Sequence, residues 1–156
     1  MAMKFLCDHM LGTLAKWLRL LGHDTTYPRP LGDVELGAMA QHEGRALLTR
    51  DRELASRVRG AYRVESDDLD QQLIDVVRTF RLDLARAMTR CSVCNGELDA
   101  VTKSEANGRV PDGVLARQDE FWQCGSCGRL YWHGSHWDNV MLRLRKLESS
   151  SKGELI

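Results

Sequence analysis

Residues 4–22 read KFLCDHMLGTLAKWLRLLG, and this stretch decides the fold class. Residues 4–7 are a short apolar run of strand length, ended by Asp8. From 9 to 21, Leu11, Leu14, Ala15, Leu18 and Leu21 recur at helical spacing while Lys16 and Arg19 face elsewhere, and Gly22 stops the helix. A buried strand passing directly into an amphipathic helix opens a strand–helix alternation. Working outward, a short extended piece at Thr25–Tyr27 runs into a turn with Pro28 and Pro30. A helix over 33–43, closed by Gly44, follows, then the strand Ala46–Thr49. A short helix over 53–59, a strand over 62–65 and a helix over 68–80 complete the pattern; Leu69, Leu73, Ile74, Val76 and Val77 form the apolar side of the last. Such alternation with short connections predicts an α/β fold, a parallel sheet flanked by helices. Ligands of such sheets bind beyond the carboxyl ends of the strands.

The texture changes after Ala87. Cys91-x-x-Cys94 and Cys124-x-x-Cys127 enclose a polar, Gly-containing segment in which no strong helix is expected. A closing helix is expected over 137–147, with Val140, Met141, Leu144 and Leu147 on one side, and a frayed tail over 148–156. The reading is therefore an α/β unit over 1–86, a four-cysteine ribbon with its closing helix over 87–147, and the tail.

Bulk composition constrains function little. Hydrophobic residues make up 43% of the 156, enough for a core, and 22 basic residues balance 22 acidic ones. Any phosphate-binding surface must come from local clustering. The apolar start of the chain is cut by Asp8, Lys16 and Arg19, so neither a signal peptide nor a membrane span is expected. A cytoplasmic, reducing setting follows as an expectation, and there paired cysteines hold metal more often than they form disulfides.

Cys91, Cys94, Cys124 and Cys127 carry the most specific signal. Two residues between cysteines let both thiolates of a tight knuckle face one ion, and two knuckles complete a tetrahedral sulfur shell, the usual setting of structural Zn²⁺. Gly96, Gly125 and Gly128 suit the sharp turns of such knuckles. The alternatives are disulfides or a redox Cys-x-x-Cys. Cys7, beside Asp8 in a core strand, reads as a small buried hydrophobe rather than a nucleophile.

Asp8 and Asp51 follow expected strands, and Asp33 opens the second helix. Crowded carboxylates repel and favour a divalent cation, and Mg²⁺ or Mn²⁺ on carboxylates, waters and phosphate oxygens can activate water for phosphodiester hydrolysis. Each aspartate could instead cap the helix it precedes. Asp67 is the candidate fourth acid, with Asp68 capping the next helix.

These segments together resemble a known family. FLCDHMLGTLAKWLRLLGHD (5–24), ALLTRDREL (46–54), the four cysteines and YWHGSHWDNVM (131–141) are similar to the PIN-fold ribonucleases with a C-terminal zinc ribbon, named after the C-terminal domain of a mutator-type exonuclease. The resemblance covers roughly Met3 to Leu147. It implies a PIN-like sheet and a Mg²⁺- or Mn²⁺-dependent ribonuclease with Asp8, Asp33 and Asp51 as metal-binding catalytic acids. RNA, single-stranded or structured, is the implied partner.

Lys16, Arg19 and Arg50 could position a phosphate backbone. Trp132, Ser135 and His136 belong to the closing motif: Ser135 with Asp138 reads as a helix cap, and His136 as a phosphate contact or an ordinary exposed histidine. Trp122, Tyr131 and Trp132 could stack on unpaired bases or pack the ribbon. The rival functional readings are a non-catalytic RNA- or ribosome-binding module and a protein-interaction adaptor built on the ribbon.

Overall fold

The computed structural model describes residues 3–154, with side chains described as far as Lys146. Four short strands form a parallel sheet in the order β2-β1-β3-β4: β1 Phe5–Cys7, β2 Thr25–Thr26, β3 Ala46–Thr49 and β4 Tyr62–Arg63. Helices α1 (Gly12–Leu20), α2 (Asp33–Glu43), α3 (Arg52–Arg57) and α4 (Leu69–Phe80) connect or follow them, with 3-10 turns at His9–Leu11 and Leu84–Arg86.

The sheet is covered on both faces, which is why its strands read as continuous apolar runs. Successive side chains of a strand point to opposite faces. Phe5 and Cys7 of β1 and Leu48 of β3 accordingly pack with Leu14, Leu18, Leu73 and Val76 of α1 and α4. Leu6 and Leu47 point the other way, against Leu36 and Ala40 of α2 and Leu54 of α3.

Gly22 ends α1 at φ 97°, a left-handed conformation that disfavours any side chain, and a Cβ there would stand 2.2 Å from the Arg86 carbonyl oxygen. Gly22→Ala is expected to cost about 2 kcal/mol or more, combining backbone strain with a clash that only a main-chain shift relieves. A urea titration showing an unchanged midpoint would contradict this.

The ribbon is a three-stranded antiparallel sheet, β5 (Leu98–Val101), β6 (Phe121–Cys124) and β7 (Leu130–Tyr131). Two short helices, α5 (Lys103–Ala106) and α6 (Asp112–Arg117), lie in the segment where no strong helix was expected. A capping box of Thr102 and Glu105 starts α5.

The closing helix α7 spans Ser135–Glu154, beginning earlier and running further than the expected 137–147. Residues 148–154 of the expected tail are helical in backbone; Leu155 and Ile156 lie outside the described residues, as does the side chain of Leu147. Trp137, Val140, Met141 and Leu144 do not serve the ribbon alone. They enter the core of the α/β unit beside Trp17 and Leu73, and an Arg143–Asp70 ion pair ties α7 to α4.

Candidate active site and cysteine cluster

Because the four strands run parallel, their carboxyl ends share one edge of the sheet, and the residues following them meet there. Asp8 directly follows β1 and is only 4% exposed. Its Oδ1 accepts from the backbone N–H of His9 at 2.6 Å and lies 2.7 Å from His9 Nδ1. Its Oδ2 accepts from Thr49 Oγ1 at 2.8 Å. A carboxylate oxygen can accept two bonds, so one lone pair of Oδ2 remains available.

Asp51 stands on the neighbouring strand's exit. Its Oδ1 caps α3 by accepting from the N–H groups of Glu53 and Leu54 at 2.9 and 3.3 Å. The two aspartates are linked through fully buried Thr49, whose Oγ1 donates to Asp8 and accepts from the Asp51 N–H at 3.0 Å. Thr49 escaped sequence reasoning, although a polar residue ending the apolar run ALLT was its available signal.

Asp33 is the first residue of α2, but Gly32 holds the cap position and no side-chain cap is present. The Asp33 carboxylate faces Arg57 of α3 instead, with Oδ2 3.6 Å from Nη1, and Arg57 also lies 3.4 Å from Glu53. Asp67 is exposed, while Asp68 caps α4 by accepting from the Gln71 N–H at 3.1 Å. Asp8, Asp33 and Asp51 thus share an end of the sheet without converging. Among the described residues, no three carboxylates bring their oxygens within 4.8 Å of one another; the four cysteines are the group that does so with ligand atoms.

Those cysteines meet across the two knuckles. Sγ of Cys91 lies 3.7 Å from that of Cys127, and Sγ of Cys94 lies 3.4 Å from that of Cys124. The edge of a tetrahedral Zn–S4 site with bonds of about 2.3 Å is about 3.8 Å, so this donor set fits a metal ion. Asn95 (φ 69°) and Gly128 (φ 79°) follow the second cysteine of each knuckle in the left-handed turn that aims both thiols inward. In the first knuckle that position is taken by asparagine rather than by the expected Gly96. Gly96 serves otherwise: a Cβ there would sit 2.8 Å from Ser126 Oγ and 3.1 Å from Cys124 Sγ. Burial opposes the Cys124 thiolate, but the N–H groups of Cys127 and Ser126 outweigh it and bring that thiol down to about 6. Cys7, the odd thiol, is pushed up to about 12 by burial, as an inert core residue should be.

Several residues expected at an RNA surface are engaged elsewhere. Arg19 is half-buried: Nε donates to the Thr25 carbonyl at 2.8 Å, and Nη1 donates to those of Ser92 and Val93 at 2.9 and 3.2 Å. It fastens the first knuckle to the α/β unit rather than presenting a free cation. Arg50 reaches the Glu65 carbonyl at 3.2 Å. Lys16 is exposed on α1.

Trp132 packs against the cluster of Ala106, Val110 and Phe121, and Tyr131 Oη is bonded to Cys91 Sγ at 2.9 Å. Trp122 lies 4.6 Å from His133, which stacks at 5.0 Å on Trp137, itself 5.7 Å from Trp17. This aromatic ladder glues ribbon to body. Ser135 and His136 are exposed at the start of α7, with the His136 ring edge-on to Trp17 at 5.1 Å. The Asp138 N–H bonds to the Gly134 carbonyl, so Gly134, not Ser135, holds the cap position.

A parallel α/β sheet with aspartates at its carboxyl edge, joined to a four-cysteine ribbon, defines the class of the molecule. The chain belongs to the Mut7-C RNAse domain family, whose model matches residues 3–144. That family assigns it a ribonuclease-type function, with RNA as the substrate in general. No curated protein and no solved structure matches it. Among the described residues no helix is long and apolar enough to cross a membrane.

Proposed function

We propose that this protein is a PIN-like, metal-dependent ribonuclease that hydrolyses RNA phosphodiester bonds at Asp8 and Asp51, with Zn²⁺ on Cys91, Cys94, Cys124 and Cys127 in a structural role. The observation that carries the reading is the Thr49 bridge: one buried hydroxyl holds the Asp8 carboxylate and the Asp51 backbone N–H on adjacent strand ends of a chain in a ribonuclease family. The free lone pair of Asp8 Oδ2 and the uncapping oxygen of Asp51 are hard donors. They suit Mg²⁺ or Mn²⁺, which bind through one or two carboxylates and keep waters and substrate phosphate oxygens as their other ligands. Such an ion supplies a water of lowered pKa and positive charge for the developing phosphoryl oxygens. Thr49 holds the Asp8 carboxyl in one rotamer, and the α3 cap holds that of Asp51. Asp33, whose Oδ2 faces Arg57, and Asp67 are further acids for this site. Lys16, Arg50, Ser135 and His136 remain candidate RNA contacts. A cytoplasmic setting suits the free thiols.

A pool of mixed RNA incubated with Mg²⁺ or Mn²⁺ tests the reading. Cleavage that disappears in Asp8→Asn and in Asp51→Asn is expected. Tight RNA binding with no cleavage under any divalent ion would favour the rival, a non-catalytic RNA-binding module.

A further inference from the structure

We infer that Tyr27 is a stacking platform for one unpaired nucleobase of the RNA substrate, next to the scissile phosphate. This deepens the ribonuclease reading and rests on it. With Trp122, Tyr131 and Trp132 absorbed by the ribbon, Tyr27, 39% exposed, is the most exposed Phe, Tyr or Trp side chain among the described residues.

Its location is specific. It follows β2, whose Thr26 is in register with Leu6 of β1, so it leaves the same sheet edge as Asp8, one strand over. Its hydroxyl donates to the His9 carbonyl at 2.6 Å. Its ring edge lies against Gly12, where a Cβ would meet Oη at 3.0 Å and Cζ at 3.1 Å, so the glycine permits the approach. The ring is thereby pinned at its hydroxyl end while part of its surface stays open to solvent. A pre-fixed ring loses little rotamer freedom when a base stacks on it.

The neighbours fit the same ligand. Met10 is 58% exposed, and the exposed ring of His9 is held at Asp8. An apolar, polarizable surface beside a buried acid matches a nucleotide, whose flat base and anionic phosphate are joined by a short sugar. Every base offers a π-face, so this subsite selects unpaired strands over duplex without selecting sequence.

The test measures binding of a short single-stranded RNA, without added Mg²⁺ or Mn²⁺, by wild type, Tyr27→Leu and Tyr27→Phe. The same oligonucleotide carrying one abasic sugar, scanned along its length, is measured in parallel. Tyr27→Leu is expected to weaken binding about 10-fold, and Tyr27→Phe by much less. At one position the abasic sugar should weaken wild type by a similar factor yet leave the Leu variant unchanged. With Mg²⁺ restored, the Leu variant should raise KM and spare kcat. RNA binding that ignores the Leu substitution, or losses that add at every abasic position, overturns the subsite alone. Failure of the wild type to bind or cleave any RNA even with Mg²⁺ or Mn²⁺ restored overturns the ribonuclease reading with it.

Discussion

Asp8→Asn is expected to leave a folded protein whose kcat on RNA has fallen about 10³-fold, since a positioned metal-bound water is worth several kcal/mol of barrier. The side chains are nearly isosteric, so the loss comes from charge and from hydrogen bonding. The carboxylate accepts on both oxygens, from His9 on one side and Thr49 on the other. An amide can accept on one side only, and its NH₂ must face either the His9 N–H or the Thr49 hydroxyl, which already receives the Asp51 N–H. Facing His9, the NH₂ loses a bond outright; facing Thr49, it donates to the second lone pair of Oγ1 and leaves the hydroxyl proton without its acceptor, so either orientation costs about 1–3 kcal/mol of stability. Asp51→Asn should cost less stability, because asparagine caps a helix as well as aspartate does, while activity falls comparably. Calorimetric titration with Mn²⁺, run beside the cleavage assay, separates the two effects: both variants should bind the ion more weakly. An Asp8→Asn protein that cleaves at the wild-type rate would remove the acid pair from the mechanism.

The second large effect concerns the cysteines. Cys91→Ser, or removal of Zn²⁺ by a chelator, is expected to destabilise the protein by about 4 kcal/mol or more, because metal affinity of such knuckles is folding energy. For a chain of this size that lowers Tm by about 10 °C or more. The damage should not stay in the ribbon. Cys91 receives Tyr131, and its knuckle is held to the body by Arg19 and by Asn95, whose amide donates to Asp24 and whose carbonyl accepts from the Thr25 N–H. Hydrogen exchange should therefore rise at Thr25 and at Phe5, which bonds to the Asp24 carbonyl. Near-ultraviolet circular dichroism of the Trp122–His133–Trp137 ladder should weaken in parallel. A melting curve indifferent to chelation would end the structural role of the metal.

Local periodicity exposed most of the α/β unit. The 33–43 helix coincides with α2, and ALLT with β3, because apolar spacing and Gly44 are signals carried within a few residues. The cysteine cluster was legible for the same reason: ligand spacing is written in the chain. What could not be read depended on partners distant in sequence. Arg19 looked like a surface cation because the carbonyls it serves lie 73 and 74 residues away. Asp33 looked like a cap or a ligand, whereas its neighbour Arg57 comes from another helix. The aromatics of the ribbon resembled a base-stacking set until the ladder gave them a packing role. The closing helix was assigned to the ribbon because it follows the ribbon, yet its apolar side matches a gap beside α1 and α4. The Thr102–Glu105 capping box was a local signal passed over for α5.

The seating of α7 also bears on how the protein is made. Trp137, Val140, Met141 and Leu144 finish a core begun by residues near the other end of the chain. A nascent polypeptide still holding those residues inside the ribosome carries Asp8 and Asp51 on a sheet whose covering helices α1 and α4 still lack the helix that packs against them. The core of the α/β unit therefore closes only once this last helix has left the ribosome.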